Sequence, residues 1–228
     1  MSYFDNKIVV IFGATGVFGQ HLARSLRERG ADVRLIVRHA DALPSDLRDL
    51  PVAEADIRER PRVAAALSAV TGGEAVDGII NCTGVVAFGT FSELSDEVAQ
   101  ELMAVNALGL LNLISLAATS ISPEGLLASF SGVAADMSIV GMGAYCASKA
   151  AAKSAMAVAT RELRSKKIRV LDIRAPHSET GLVDRAREGV APKMPKGLAP
   201  QFVIDRVLEA IATGEKDLPA EAFASPVT

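Results

Sequence analysis

Residues 7–19 read Lys-Ile-Val-Val-Ile-Phe-Gly-Ala-Thr-Gly-Val-Phe-Gly, and this stretch decides the fold. The apolar run 7–12 is typical of a buried parallel strand. Three glycines follow, and a helical pattern then continues to about Arg29. Glycine lets a backbone turn tightly and approach a pyrophosphate, and the next helix offers its free N–H groups and positive dipole end to that anion. The stretch therefore predicts a strand–turn–helix unit that binds a dinucleotide.

The rest of the chain alternates between strand and helix patterns. Strands are predicted at 7–12, 33–37, 51–54, 76–82, 125–131 and 168–174, with a short last strand near 216–219. Helices are predicted at 18–29, 60–70, 95–120, 143–165 and 200–213. Such alternation implies right-handed crossovers and a parallel sheet covered on both faces. We therefore expect an α/β fold, a Rossmann-type doubly wound parallel sheet with helices on both faces, in a single domain over 1–228.

Composition argues against several classes of protein. The 228 residues are 50% hydrophobic with a net charge of −3 and no long basic run, so nucleic acid is not an expected partner. Cys82 and Cys146 give neither a disulfide framework nor the spacing of a metal site. The first residues lack the regions of a signal peptide, and the charge-free run Leu102–Pro123 contains polar residues that favour a buried helix over a membrane span. We expect a cytoplasmic protein without a metal ion.

Tyr145 and Lys149 lie four residues apart in the predicted helix 143–165. Four residues is about one helical turn, so both side chains project from the same face. A free tyrosine, with a pKa of ~10, is a poor acid–base catalyst at neutral pH, and a neighbouring ammonium lowers that pKa. Together the two groups can exchange a proton with a hydroxyl or carbonyl oxygen. The alternative is that the pair lies on a solvated helix face with no catalytic role.

Further short motifs occur in a fixed order along the chain. The glycine turn Gly13–Gly19 is followed by Asp56-Ile57 after the third strand, Asn81-Cys82-Thr83-Gly84 after the fourth, Asn106 in the long helix 95–120, Ser131 at the end of the fifth strand, Tyr145 and Lys149, and Pro176 to Thr180 after the sixth strand. In this order and spacing the sequence resembles the short-chain dehydrogenase/reductase family, and the resemblance covers nearly the whole chain.

The resemblance implies an oxidoreductase that interconverts a carbonyl and an alcohol. Tyr145 would exchange a proton with the substrate oxygen, and Lys149 would lower its pKa and hold the nicotinamide ribose. Ser131 would hydrogen-bond the substrate oxygen, and Asn106 would bend its helix and hold a water that relays protons to Lys149. The implied cofactor-binding residues are Gly13, Thr15, Gly16, Val17, Phe18, Gly19, Arg38, Asp56, Ile57, Asn81, Thr83, Gly84, Tyr145, Lys149, Pro176, His177 and Thr180.

Other interpretations of these residues remain open. Ser129 faces the same way as Ser131 along a strand of period two. Asn106 could be a buried amide that links helices, and Asp56 could only cap a turn. His177 is either a loop residue or a catalyst.

The sequence departs from the family pattern in ways that would reshape the nicotinamide side of the site. Gly16 stands one position earlier than in the usual short form, and the residue before the first glycine is Phe12 rather than threonine. The usual Pro-Gly is Pro176-His177, and Thr180 falls one residue early. The spacing from Ser131 to Tyr145 is one residue longer than the common spacing.

Cofactor choice depends on the end of the second strand. NAD-binding proteins typically place an acidic residue there to bind the ribose 2′-hydroxyl. Here the strand runs into Val37-Arg38-His39, and no carboxylate appears until Asp41. Arg38 could hold a 2′-phosphate through its planar donor fork, so NADP(H) is expected over NAD(H). A surface arginine in a capping loop is the alternative.

The sequence is compatible with three classes of function. The first is an NADP(H)-dependent oxidoreductase acting on a small carbonyl or alcohol, and the complete set Tyr145, Lys149, Ser131 and Asn106 favours it. The second is a regulatory protein of the same fold that binds the dinucleotide and reports redox state without turnover. The third, non-redox sugar-nucleotide chemistry, is weakened by the chain length, since proteins of that kind usually carry a larger carboxy-terminal region.

Two segments outside the motifs suggest further properties. Glycines and prolines in 177–199 predict a long loop, and such loops are often lids over a site. The helix through Leu102–Pro123 is apolar all round, and the helix that carries Tyr145 is similar. Soluble monomers rarely expose so large an apolar patch, so we expect a homodimer or homotetramer built on these two helices.

Overall fold

The structure, a computed structural model, describes residues 2–224. Its centre is a parallel sheet of seven strands: β1 (Ile8–Phe12), β2 (Asp32–Val37), β3 (Val52–Glu54), β4 (Val76–Asn81), β5 (Ile121–Phe130), β6 (Arg169–Ile173) and β7 (Asp217–Leu218). The spatial order is β3-β2-β1-β4-β5-β6-β7. The predicted doubly wound parallel sheet is therefore confirmed. Because the order reverses between β1 and β4, a crevice opens at the carboxyl ends of those two strands.

Within residues 2–224, six α-helices cover the sheet: α1 (Val17–Glu28), α2 (Arg60–Thr71), α3 (Asp96–Met103), α4 (Gly109–Ser120), α5 (Gly143–Glu162) and α6 (Pro200–Thr213). A π-helical turn, Ala104–Leu108, joins α3 to α4. Short 3-10 turns lie at Ala40–Ala42, Ser45–Leu47, Val133–Ala135, Leu163–Lys166, Val183–Arg185 and Ala220–Phe223. The observed elements agree closely with the pattern of the sequence.

Two hydrophobic cores hold the layers together. On one face of the sheet α1 and α6 bury side chains such as Leu22 and Val207 against Ile11 and Leu35. On the other face α2, α4 and α5 bury residues that include Leu113 and Met156. Full burial of each large aliphatic side chain stabilises the fold by about 1.5–3 kcal/mol. The helix that carries Tyr145 is thereby fixed on the sheet.

The start of β5 differs from the prediction. The strand begins at Ile121, which pairs with Val76, rather than at 125. The register then shifts before Gly78, and the irregular stretch includes Glu124 at a φ of 68°. Pro123 and Glu124 interrupt the apolar pattern, so the sequence shows only the regular second half of the strand.

The helical segment Asp96–Ser120 spans α3, the π-helical turn and α4. By length and composition alone it is apolar enough to cross a membrane, and 44% of its most apolar window is buried inside the structure. Its inner side, which includes Leu102, Leu110 and Leu113, is packed in the protein. Its outer side leaves Met103, Leu108 and Leu111 partly exposed.

Candidate active site

A cleft of about 440 Å³ lies at the carboxyl ends of the central strands. It brings together most of the residues that the sequence assigns to cofactor or catalysis. Those that line it are Gly13, Thr15, Gly16, Val17, Phe18, Arg38, Asp56, Ile57, Thr83, Gly84, Tyr145, Lys149, Pro176, His177 and Thr180. Gly19, Asn81, Asn106 and Ser131 are buried behind its walls. The predicted residues therefore converge on one site, and four of them contribute from beneath.

The glycine turn forms the floor at one end of the cleft. Gly13 has a φ of +81°, and a Cβ atom there would lie 3.0 Å from Thr83 N. A Cβ on Gly19 would lie 2.5 Å from the Gly13 carbonyl oxygen, so α1 can approach β1 closely only with glycine at this position. No side chain caps α1, and its first turn carries no acidic residue. The amide end of the helix therefore fits an anionic group such as a pyrophosphate.

Arg38 and Asp56 line the cleft just after β2 and β3, on the β2 side of the glycine turn. Asp56 accepts hydrogen bonds from Arg58 Nε at 2.9 Å and Nη2 at 2.6 Å, and this interaction holds the pKa of its carboxyl below the usual value. The positive charge of Arg38 acts in the same direction. Within residues 2–224, Asp56 is the only carboxylate of the cleft lining, and Arg58 already pairs with it. Arg38 is thus the exposed cation beside β2.

Tyr145 and Lys149 line the wall opposite the glycine turn. Lys149 Nζ lies 5.9 Å from the centroid of the Tyr145 ring and donates a hydrogen bond to the Phe130 carbonyl oxygen at 2.9 Å. Burial raises the pKa of Tyr145 to about 12 and lowers the pKa of Lys149 to about 8. The lowered pKa that the sequence predicts for Tyr145 is therefore not found in this structure. The pair is a protonated phenol beside an ammonium that titrates just above neutrality.

Asn106 lies behind this wall, in the π-helical turn. Its Oδ1 accepts from Val85 N at 2.9 Å, and its Nδ2 donates to the Val85 carbonyl at 2.9 Å and to Ser148 Oγ at 3.0 Å. Turns of this kind often occur inside helices at functional sites. The helix is distorted at Asn106, as the sequence predicts, and the side chain also links the helix to its neighbours. The structure does not test the predicted water relay.

Ser131 is not part of the cleft. Its side chain is 0% exposed. Its Oγ lies near the buried carboxylate of Asp172 but forms no hydrogen bond of good geometry. Ser129, the alternative, is also buried and accepts a hydrogen bond from Asn81 Nδ2 at 3.1 Å. Gly132 lines the cleft instead. The structure therefore gives no support to the prediction that a serine here contacts the substrate.

The physical reason for this difference is the path of the chain after β5. Gly132 N donates to the Ile173 carbonyl, and the residue has a φ of +78°. The backbone turns into the cleft there, one residue beyond Ser131. The sequence spacing from Ser131 to Tyr145 is one residue longer than the common family spacing, so Gly132 stands at the common spacing. This spacing could have identified Gly132 from the sequence.

A charge cluster at the end of β6 has a buried centre, Arg174 and Asp172, and more exposed outer members. Arg174 pairs with Asp172 at 3.0 Å, with Asp217 at 2.7 Å and with Asp136 at 2.8 Å, and Asp136 also pairs with Lys153. Burial raises the pKa of Asp172, and the Ser131 hydroxyl and Arg174 oppose that rise. The Asp172 charge in turn partly offsets the effect of burial on the pKa of Lys149. No local sequence pattern predicts this cluster.

Two aromatic rings and a thiol complete the inner wall. Phe18, from the glycine turn, stacks on Phe130 with ring centroids 4.9 Å apart. Cys82 lies in the same wall, and burial raises the pKa of its thiol. The thiol is therefore protonated and poorly nucleophilic at neutral pH. No cluster of His, Cys, Asp and Glu suited to a metal ion occurs within residues 2–224.

The loop 177–199 covers the far side of the cleft. A bridge between Ser178 and Leu198 closes its base. Arg187 N donates to the Val86 carbonyl, and Phe88 N donates to the Glu188 carbonyl, so its middle is tied to the segment after β4. His177 lines the cleft, and its backbone carbonyl accepts from Leu198 N. Whether the loop moves as a lid remains a prediction.

The comparisons with known proteins agree with this geometry. A family model described as short chain dehydrogenase matches residues 7–191. The dehydrogenase/reductase SDR family protein 7-like of Anopheles gambiae is 27% identical over 95% of this chain and 75% of its own length. The 2,3-dihydro-2,3-dihydroxybenzoate dehydrogenase of Bacillus subtilis is 30% identical over 65% of this chain and 60% of its own length.

A solved structure matches over nearly the whole fold. It is a short chain dehydrogenase from Burkholderia cenocepacia in complex with NADP, with a TM-score of 0.82 and 28% identity. The match covers 97% of this chain and 91% of the other. The family model spans most of the sheet and every residue assigned to the site, so the chain belongs to the short-chain dehydrogenase family of oxidoreductases.

Proposed function

We propose that the protein is an NADP(H)-dependent oxidoreductase that interconverts a carbonyl and an alcohol, with Tyr145 as the acid–base group. The observation that carries this proposal is the Tyr145–Lys149 pair in the wall of a cleft whose floor is the uncapped amide end of α1. A nicotinamide cofactor, when bound, would supply or accept the hydride. The protein supplies the proton.

In the direction of reduction, Tyr145 donates its phenolic proton to the carbonyl oxygen as negative charge develops there. The phenolate that remains is stabilised by the Lys149 ammonium, because a nearby positive charge favours the ionised form. Lys149, with a pKa of about 8, is mostly protonated at neutral pH. Its hydrogen bond to the Phe130 carbonyl orients the ammonium beside the ring. In the direction of oxidation the same phenolate would accept the alcohol proton.

Two further properties belong to the proposal. Arg38 would hold a 2′-phosphate, which favours NADP(H) over NAD(H). The relative with bound NADP supports a nicotinamide cofactor and only weakly supports the preference. The protein would act in the cytoplasm as a homodimer or homotetramer that pairs through the outer faces of α4 and α5, where Leu108, Leu111 and Val158 are exposed.

One observation favours a second candidate, a dinucleotide-binding sensor without turnover. The cleft lining has Gly132 where the sequence predicts a serine hydroxyl, so that serine is not placed as a donor to the developing oxyanion. Removal of one such donor in other enzymes costs about a hundredfold or more in rate. A slow enzyme and a sensor would both bind the dinucleotide, so only a measurement of turnover distinguishes them.

The test compares Tyr145→Phe with the parent protein. NADPH oxidation is followed with a panel of ketones, aldehydes and quinones, and NADPH affinity is measured by fluorescence. The proposal expects turnover in the parent, loss of turnover in the variant and nearly equal NADPH affinity. Binding of NADPH without turnover of any substrate would favour the sensor, and full turnover by the variant would remove Tyr145 from the mechanism.

A further inference from the structure

The part of the cleft beyond Tyr145 is lined almost wholly by apolar side chains. They are Val86, Phe88, Ala134, Ile139, Met142, Leu182, Val183 and Met194. Several of them, with the buried Cys146, form a separate hydrophobic cluster around Tyr145. A surface of this kind binds apolar groups by removing them from water.

The charged groups at this end of the cleft already have protein partners. Arg185 donates from Nε to the Gly181 carbonyl at 3.1 Å and from Nη2 to the Thr180 carbonyl at 3.2 Å. Arg187 pairs with Glu101 at 3.2 Å. Glu101 thus offsets the charge of Arg187, whereas the Arg185 guanidinium is held by neutral backbone carbonyls. Apart from these two guanidiniums, the side chains at this end of the cleft are apolar.

Three exposed apolar residues, here called the rim, lie on the chain segments that line this end of the cleft: Phe91, Val140 and Val190. Among the large apolar side chains of residues 2–224, these three are the most exposed, at 81%, 90% and 89%. Single exposed apolar residues are common in proteins, but three on neighbouring segments that hydrogen-bond to one another are unusual.

The rim is held in place by the segments that line the cleft. Gly89 N donates to the Gly141 carbonyl at 2.8 Å, and Phe88 N donates to the Glu188 carbonyl at 2.9 Å. The Phe91 ring packs against Gly143, the first residue of α5, so closely that a side chain at 143 would collide with it. Phe88 and Met142, from two of these segments, line the cleft. The rim is thus a fixed extension of the cleft wall.

From this continuity we propose that the substrate is an elongated carbonyl compound or alcohol, apolar along its length, whose reactive end lies at Tyr145 and whose far end crosses the rim of Phe91, Val140 and Val190. This inference rests on the proposed function.

The test is a homologous series of unbranched 2-ketones of about four to twelve carbons, with NADPH as the reductant. Each buried methylene should raise kcat/KM by about fourfold until the chain leaves the protein. Phe91→Ser, Val140→Ser and Val190→Ser should each reduce the gain from the last methylenes of the longest ketones. Phe202→Ser, which removes an exposed phenylalanine from α6, is the matched control and should keep the whole gain.

A second measurement separates this proposal from the proposed function. The dissociation constants of the same ketones are measured by calorimetry on the Tyr145→Phe protein saturated with NADPH. Affinity that rises with chain length supports the substrate class even if the parent shows no turnover. Turnover and affinity that do not depend on length, or a preference for short ω-carboxylated ketones, would overturn the proposal while leaving the oxidoreductase function standing. The proposal would also be overturned if rim variants and the Phe202→Ser control behaved alike.

Discussion

The side-chain amide of Asn106 forms two hydrogen bonds with the backbone of Val85, one from Val85 N to Oδ1 and one from Nδ2 to the Val85 carbonyl, both at 2.9 Å. Val85 follows Thr83 and Gly84, which line the floor of the cleft. The same Nδ2 bonds Ser148, which precedes Lys149 in α5. One buried amide therefore fixes the floor of the cleft relative to the helix that carries Tyr145 and Lys149.

Asn106→Ala should lower both stability and activity. Loss of the amide removes the two hydrogen bonds to the partly buried backbone of Val85, each of which contributes about 0.5–1.5 kcal/mol. The substitution should therefore lower the free energy of unfolding by about 1–3 kcal/mol and raise the KM for NADPH. Urea denaturation and steady-state kinetics measure the two effects. Ser115→Ala is the control, since Ser115 is exposed and bonds only within its own helix; equal effects of the two changes would contradict the role of Asn106.

Ser131→Ala should leave turnover within a few fold of the parent. The Ser131 hydroxyl is buried and is not part of the cleft lining, so we expect it to make no contact with the substrate. The change should act mainly on the pKa of Asp172, which loses a group that stabilises its charge. Rates of NADPH oxidation with Ser131→Ala and Tyr145→Phe, measured together, check this. A loss in Ser131→Ala as large as that in Tyr145→Phe would mean that the serine reaches the substrate after all.

The contrast between these residues shows what the sequence could predict. The glycine turn and the Tyr145–Lys149 pair depend on local geometry, a strand that turns into a helix and a spacing of one helical turn, so both were found from the pattern. The choice between Ser131 and Gly132 depends on where β5 stops pairing with β6 and on the positive φ of Gly132. The Arg174 cluster joins residues from β6, β7 and the segment before α5, and no local pattern reveals such a contact.

The rate of reduction should depend on pH through Lys149. Below its pKa of about 8 the ammonium is charged and stabilises the phenolate that forms when Tyr145 donates its proton. Above that pH the charge is lost while Tyr145, with a pKa of about 12, stays protonated. The value of kcat/KM for reduction should therefore be level up to about pH 7, fall to about half near pH 8 and decline further at higher pH.

Lys149→Arg provides the control for this profile, because a guanidinium does not titrate in that range. If the arginine variant retains measurable activity, its falling limb should move to higher pH. A parent profile that is still level at about pH 10, or one that falls equally in both proteins, would show that Lys149 does not set the dependence.

NADP(H) should bind more tightly than NAD(H), and Arg38→Ala should remove most of the difference. A charge-assisted hydrogen bond to a phosphate contributes about 1.5–3 kcal/mol, so the loss should be about tenfold or more for NADPH. NADH affinity should change little. Titration of both cofactors into both proteins, followed by fluorescence, gives the four dissociation constants. Equal affinities of the parent for the two cofactors would point to no preference.

The outer faces of α4 and α5 should form a subunit interface, and a charge placed there should break it. Leu102, Leu110 and Leu113 are buried in the monomer, so the apolar surface is smaller than the sequence suggested. Leu108 and Leu111 on the helix around Asn106, with Val158 on α5, remain exposed on this side.

Leu111→Glu should convert an oligomer to a monomer, because a buried unpaired carboxylate is costly at an interface. Leu110→Glu would instead disrupt the monomer core and is unsuitable. Light scattering after size exclusion measures the mass, with Phe202→Glu on α6 as the exposed control. A parent that is already monomeric at micromolar concentration would refute the interface.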